Sequence, residues 1–312
     1  MSPTDPIDPG PVRLKTVSLL ARRHLMNWRQ VGDPGRRAGL SAFVDALPDI
    51  LAGRSLRQLL AALRRGRGSS RGLVWGLGAH VVKTGVSPYL IELMKHGFVT
   101  HLAVNGALVI HDFELAYCGE TSEDVAESIR DGSFGMARET GDVLGALLSG
   151  PETARIGLGN SVGKAIAASD YPYRRLSLLA AAHDLGLPVT VHVALGTDVV
   201  HFHPACDWAA MGRGARRDFD LFVDSVARLD GGGVYLNVGS AVVLPEVFLK
   251  AVSVVRNLGT ALGEFNTVVL DMLDQYRTRE NVLCRPGGVG IRITGHHEIL
   301  VPLIAGALLE EL

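Results

Sequence analysis

The sequence predicts an α/β fold: a Rossmann-like parallel sheet with helices on both faces, preceded by an N-terminal helical extension. Three observations predict it. From Gly72 onward, short apolar runs alternate with amphipathic stretches of helical period. The runs are apolar at nearly every position, as strands covered on both faces must be. The 37 glycines, against 9 phenylalanines, punctuate the chain too often for a bundle of long helices.

The elements follow in order. MSPTDPIDPGP reads as a loose tail, and Val12 to Leu63 as two helical stretches split by the turn GDPGRR at Gly32–Arg37. Arg64–Arg71 (RRGRGSSR) is expected to be a solvated basic loop. It divides the chain into an N-terminal tail and helical extension, 1–71, and an α/β domain, 72–312. Leu73–Gly78 is the first strand. The next helix has Ser87 as N-cap, Pro88 at its first position and Gly97 beyond its end. Leu90, Leu93 and Met94 share its buried face. Phe98–Val104 is the second strand, broken by Asn105-Gly-Ala107. Thr121–Asp124 resembles a capping box opening a helix that stops near Gly132. An interrupted helical tract fills 135–185, and Val189–Leu195 is the third strand. A helix over Arg216–Leu229 stops at Gly231–Gly233 and feeds VYLNVG. Pro245 starts another that ends at Gly259; TVVLDML, IRITG and a final apolar helix complete the chain.

Composition narrows the function. With 47% hydrophobic and 20% charged residues the chain is no disordered polymer. A formal net charge of −1 gives no global field toward nucleic acid or anionic lipid. Cys118, Cys206 and Cys284 form no CxxC pair, so no disulfide framework or Cys-rich metal site is expected, and a cytoplasmic setting fits best. The longest apolar run, Ile299–Leu309, falls short of the roughly 20 residues of a membrane span. The acidic, proline-containing N-terminus does not read as a signal peptide.

In a parallel sheet, ligands collect where strands end and helices begin. The residues there are Gly78-Ala-His80; Asn105, Gly106 and Ala107, followed by His111, Asp112 and Glu114; Thr197 and Asp198, followed by His201 and His203; Gly239 and Ser240; and His296-His297-Glu298. Neither GxGxxG after the first strand nor GxxxxGK[ST] is present, so the glycines alone point only weakly to a nucleotide. Each group also has a structural reading. Gly78 and Gly106 suit plain turns, and Asp112 and Glu298 suit helix N-termini. His201 and His203 would share one side of an extended segment, a spacing that suits a metal.

At these positions the chain resembles the deoxyhypusine synthase family and its bacterial relatives, over Leu73 to Leu312. The stretches that carry the likeness are GAHVVKTGVSPYLIELMKHGFVTHLAVNGA, PVTVHVALGTD, NVGSAVVLPEVFLKAV and HHEILVPLIAGAL. The resemblance implies NAD as cofactor, a homotetramer with sites between subunits, and dinucleotide contacts at His80, Asn105, Gly106, Ala107, Thr197, Asp198, Gly239, Ser240, His296 and His297. His111 falls where the family has a substrate-side carboxylate. The chain departs from the family at its chemistry. The family forms an imine on a lysine shortly before the last strand, whereas Lys250 is the last lysine here and 281–292 supplies only arginines. Arginine stays protonated and does not replace a nucleophilic amine. The family's neighbouring tryptophan is missing, and Pro245 and Glu246 stand where it has histidines.

The resulting expectation is an NAD-binding enzyme acting on a small polar or amine substrate, not deoxyhypusine synthesis, with His111 and Asp112 or Glu114 as acid/base groups. Two alternatives stand beside it: a metal-dependent hydrolase or lyase built on His201, His203 and a C-terminal histidine, and an inactive nucleotide-binding regulatory relative.

Overall fold

The computed structural model describes residues 39–310. The expected tail, the first helical stretch and the GDPGRR turn lie outside the described residues. Among the described residues two helices precede the sheet, α1 (Leu40–Asp45) and α2 (Leu51–Gly68). The basic segment is therefore not a loop through Gly68. Arg65 and Arg67 occupy the last turn of α2, where cations oppose the helix dipole. Arg64 donates to the Ala307 carbonyl at 3.0 Å, and Arg67 donates to the His96 carbonyl at 2.7 Å while lying over the Phe98 ring.

Six parallel strands form one sheet: β1 (Leu73–Leu77), β2 (His101–Asn105), β3 (Val189–His192), β4 (Gly233–Val238), β5 (Phe265–Asp271) and β6 (Val289–Thr294). Their order is β3-β2-β1-β4-β5-β6, so the winding direction reverses between β1 and β4. That reversal opens a crevice at the carboxyl ends of the central strands, the place where such sheets bind ligands. The expected Rossmann-like α/β class is the observed one.

Between β1 and β2 lie α3 (His80–Lys83) and α4 (Ser87–Lys95). Ser87 is inside the first turn of α4 and Val86 takes the cap position, so the expected serine cap is absent; Pro88 does sit in the first turn. α5 (Gly106–Cys118) starts directly after β2, with the Asn105 side chain accepting from the Leu108 amide. α6 (Val125–Ser128) is one turn, capped by Asp124 rather than by a box from Thr121. The tract before β3 contains α7 (Gly145–Ser149), α8 (Thr153–Ile156), α9 (Leu158–Ala167) and α10 (Leu178–Asp184). α11 (Trp208–Ala227) begins about two turns earlier than Arg216, because Asp207 caps the Ala209 and Ala210 amides. Gly214 keeps it close to α9, since a Cβ there would lie 2.6 Å from Leu158 Cδ2. α12 (Val243–Asn257), α13 (Tyr276–Thr278) and α14 (His297–Leu309) complete the chain.

Successive strand residues feed opposite layers, which is why the strands are uninterrupted apolar runs. Trp75, Leu102, Val104, Leu236 and Leu270 join a core with α2, α4, α5, α9, α10 and α14. Val74, Ala103, Tyr235 and Val269 join the other with α11 and α12, where Tyr235 stacks on Phe248. The helical extension thus shares its core with the sheet. One buried carboxylate ties three elements together: Asp218 on α11 accepts from the amides of Leu158, Gly159 and Val191. Burial pushes its pKa up to about 7, against the pull of those amides.

Candidate active site at the carboxyl edge of the sheet

The central strand ends bring glycine against glycine. A Cβ on Gly78 would lie 2.0 Å from the Gly239 carbonyl oxygen. Gly239 itself has φ +65°, a conformation glycine adopts without strain, and a Cβ there would meet the His297 ring at 2.7 Å. α3 and α14 start just beyond, and the His80 and His297 rings meet edge-on with centroids 5.5 Å apart. His297 Nε2 donates to the Leu270 carbonyl at 3.3 Å, so Nδ1 of the neutral ring is an acceptor. That Nδ1 is buried and has no hydrogen-bond partner. Burial holds the His297 pKa below its ordinary value, which keeps the ring neutral. Ser240 accepts from the Leu244 amide and its carbonyl from Asn237. His296 is different. Its side chain is 63% exposed beside Glu298, so only the second of the two adjacent histidines meets His80.

Next to this cleft, a cavity of about 220 Å³ is lined by Lys83, Ala107, His111, Glu114, Thr197 and Asp198, among others. α3 serves both places, with His80 turned to His297 and Lys83 to the cavity. Asp198 lies over the first turn of α5. A Cβ on Gly106 would sit 2.1 Å from Asp198 Oδ2, so glycine is required for this approach. Burial raises the Asp198 pKa to about 6. Asn105, by contrast, spends its side-chain oxygen on capping α5.

His111 is the imidazole of the cavity. Its Nδ1 lies 2.7 Å from Thr121 Oγ1, which donates to Glu114 Oε2 at 2.6 Å. The buried Thr140 donates to the other oxygen, Oε1, at 2.9 Å. Burial lowers the His111 pKa, Glu114 pulls it up and Lys83 pushes it down, and the net direction is downward.

Two expectations need correction. Asp112 does not share the cavity: it is fully buried and accepts from the Ser177 hydroxyl and the Leu178 and Leu179 amides, capping α10. Its pKa rises to about 6 through burial. On α5, residues 111 and 112 point about 100° apart, and only the first turns to the cavity. The metal reading of His201 and His203 is not favoured either. His201 Nδ1 accepts from the amides of Gly196 and Asp198, so Nε2 of the neutral ring carries the proton and no lone pair is left for a metal, whereas His203 Nε2 donates to the Gly135 carbonyl and keeps its Nδ1 lone pair. Among the described residues no group of three His, Cys, Asp or Glu side chains is placed to hold a metal ion.

Sequence reasoning missed Lys83, Thr121 and Thr140. Lys83 carried a signal, since it stands one helical turn after His80. Thr121 was legible only as a capping residue, and its contact with His111 is tertiary. No helix among the described residues is long and apolar enough to cross a membrane.

No protein-family model and no curated protein matches the chain. Solved structures do. A conserved candidate LOR/SDH protein from Methanococcus maripaludis S2 superposes with a TM-score of 0.52 at 14% identity, over 85% of this chain and 72% of that one. A candidate deoxyhypusine synthase from Entamoeba histolytica gives 0.51 at 11% identity, over 88% and 94%. AgrE in ternary complex with ornithine and NAD+ gives 0.50 at 16% identity, over 84% of this chain and 34% of that one. The chain likewise spans only 31% of ArgZ, a cyanobacterial arginine dihydrolase. At such identities the likeness is one of fold: the chain shares a Rossmann-like α/β fold with these structures, a candidate deoxyhypusine synthase among them.

Proposed function

We propose that the protein is an NAD-binding enzyme that acts on a small polar or amine substrate, with His111 as its acid/base group. The observation that carries this is the pairing of the strand-order reversal between β1 and β4, edged by His80 and His297, with an adjoining cavity that presents a neutral imidazole. The residues of the cleft fit a dinucleotide. Gly78 and Gly239 let the two strand ends and α14 pack together, their Cβ positions being taken up by the Gly239 carbonyl and the His297 ring, and His297 Nδ1 is a buried acceptor without a protein partner. Gly239, Ser240, His80 and His297 would hold the cofactor from the cleft. Ala107, Thr197 and Asp198 would face it or the substrate from the cavity. Bound NAD supplies a hydride acceptor. The chain's own part is to orient the substrate and to take a proton at His111, which burial keeps uncharged near neutral pH. The NAD bound to AgrE, a protein of the same fold, supports the cofactor assignment.

Calorimetric titration of NAD into the protein should show binding. His111→Ala should leave that affinity within a few-fold and abolish reduction of NAD by a panel of small amines and hydroxy compounds. A folded sample that neither binds nor is thermally stabilised by millimolar NAD would remove the cofactor assignment.

Deoxyhypusine synthesis is not expected. Lys250 lies on α12, paired with Glu246, and no lysine follows it to form the imine. Incubation with labelled spermidine and the acceptor translation factor should leave the acceptor unlabelled; label on the acceptor would show a nucleophile elsewhere in the chain.

A further inference from the structure

We infer that Thr121 is a positioning residue that fixes the tautomer of His111 and so decides which ring nitrogen is the base. The inference rests on His111 being the acid/base group of the cavity, and it follows from counting protons along three side chains. The Glu114 carboxylate, when ionised, only accepts hydrogen bonds. It receives one from Thr121 Oγ1 at 2.6 Å and one from Thr140 Oγ1 at 2.9 Å. A hydroxyl has a single proton, and Thr121 gives it to Glu114. Toward His111, 2.7 Å away, Thr121 Oγ1 therefore has only a lone pair to offer. His111 must meet it with Nδ1–H. In the neutral ring this leaves the lone pair on Nε2.

The alternative tautomer would set the Nδ1 lone pair against the lone pairs of Thr121 Oγ1 at hydrogen-bond distance, which is repulsive. Glu114 Oε2 stands 3.9 Å from His111 Nδ1, too far for a direct hydrogen bond, so the threonine is the link between the two. Thr140, only 3% exposed, holds the far side of the carboxylate. The charged groups facing His111 are Glu114 on its own helix and Lys83 on α3, with Glu123 and Asp198 on the same cavity wall.

The placement of Thr121 gives this arrangement a further property. It lies in the connection after α5, just beyond Gly119 at φ +80° and before Ser122 at φ +74°. The same connection is tied down by Glu123, which accepts from the Gly135 amide, and by His203, which donates to the Gly135 carbonyl. The base therefore has its defined tautomer only while this segment is docked on α5.

Nitrogen-15 NMR of the imidazoles, with His111 assigned by comparison with His111→Ala, tests the inference without a substrate. Native protein at neutral pH should show His111 as Nδ1–H with an unprotonated Nε2. Thr121→Val keeps the shape and removes the hydroxyl; it should shift His111 toward the Nε2–H form and slow carbethoxylation of His111 several-fold. Thr121→Ser should restore both readings. Loss of packing alone would not be reversed by serine, which lacks the methyl group. Native His111 found as Nε2–H, or a Thr121→Val protein with native tautomer and native modification rate, would overturn the inference. Neither result depends on NAD binding or turnover, so failure of the enzymatic assignment is read separately.

Discussion

Gly78→Ala should lower the stability of the protein by about 1–3 kcal/mol, the usual cost of forcing a methyl group into a filled site, and should weaken NAD binding with it. The reason is the register of the central strands. Leu77 pairs with Val238, which sets Gly78 directly against Gly239, and the Gly78 amide donates to the Val238 carbonyl at 2.8 Å. A Cβ on Gly78 would stand 2.0 Å from the Gly239 carbonyl oxygen and 2.6 Å from its carbon. Both obstacles are backbone atoms, so no change of rotamer relieves the clash. The end of β4 has to move, and Gly239 carries the cleft with it. Its amide would pull away from the Leu270 carbonyl, which also receives the His297 ring. Gly212→Ala is the matching control. Gly212 lies within α11 with nothing within 4 Å of a new Cβ, so alanine there should be neutral or stabilising. Urea unfolding of the two variants beside NAD titration makes the comparison. Native stability and native affinity in Gly78→Ala would mean that the ends of β1 and β4 are not in contact.

The parts of this architecture that were legible in the sequence are those fixed by the hydrophobic effect over several consecutive residues. Each expected strand overlaps an observed one, because a strand covered on both faces has to be apolar throughout. Errors fell at the ends. Val193, Ala194 and Leu195 continue the apolar run of β3 but lie beyond its last ladder residue, His192. Helix starts were misplaced wherever the cap was a tertiary matter, as at Ser87, or wherever glycines masked a helix, as at Gly212 and Gly214 in α11. The site was legible as a set of strand ends but not as a set of contacts. His111 and Asp112 are adjacent in sequence and had equal claims. Their separation into a cavity residue and a buried cap depends on where α10 docks. Thr121 had a sound local reading as a helix cap, and no local signal shows that its hydroxyl lies between His111 and Glu114. No local signal distinguishes His101 and His192, since each sits inside a strand rather than beyond one.

Those two histidines give the protein its expected response to acid. His101 Nδ1 lies 2.7 Å from Ser225 Oγ, its Nε2 lies 2.8 Å from Thr190 Oγ1, and that same hydroxyl lies 3.0 Å from His192 Nε2. One hydroxyl proton serves two rings, so both imidazoles fit as neutral groups, one donating to Thr190 and one accepting from it. Burial lowers both pKa values to about 3, and for His101 the neighbouring His192 and Arg228 add to it. A histidine depressed from its ordinary 6.5 favours the folded state fully above 6.5, and that contribution is lost as pH falls toward 3. The buried carboxylates run the other way. Asp112 and Asp198, raised to about 6, and Asp218, raised to about 7, oppose folding while ionised, and that penalty is relieved as pH falls toward 3.8. Between pH 7 and 4 the two sets run in opposite directions, with His111, His201 and His297, which burial also lowers, adding to the histidine side, and the offset keeps the net change smaller than either set alone. Below that the buried carboxylates no longer oppose the His101/His192 pair, and the two protons that its rings take up in the unfolded chain correspond to a slope of about 2.7 kcal/mol per pH unit. Exposed carboxylates lowered by surface pairing, such as Glu152 beside Lys164, add little to this slope. His101→Gln keeps hydrogen-bonding groups between Ser225 and Thr190 but cannot titrate, so it should flatten the acid limb toward one proton. Urea unfolding followed from pH 7 to 3 in both proteins reads the slopes directly. A steep loss already at pH 6, or equal acid limbs in the native protein and His101→Gln, would show that acid acts somewhere other than this buried pair.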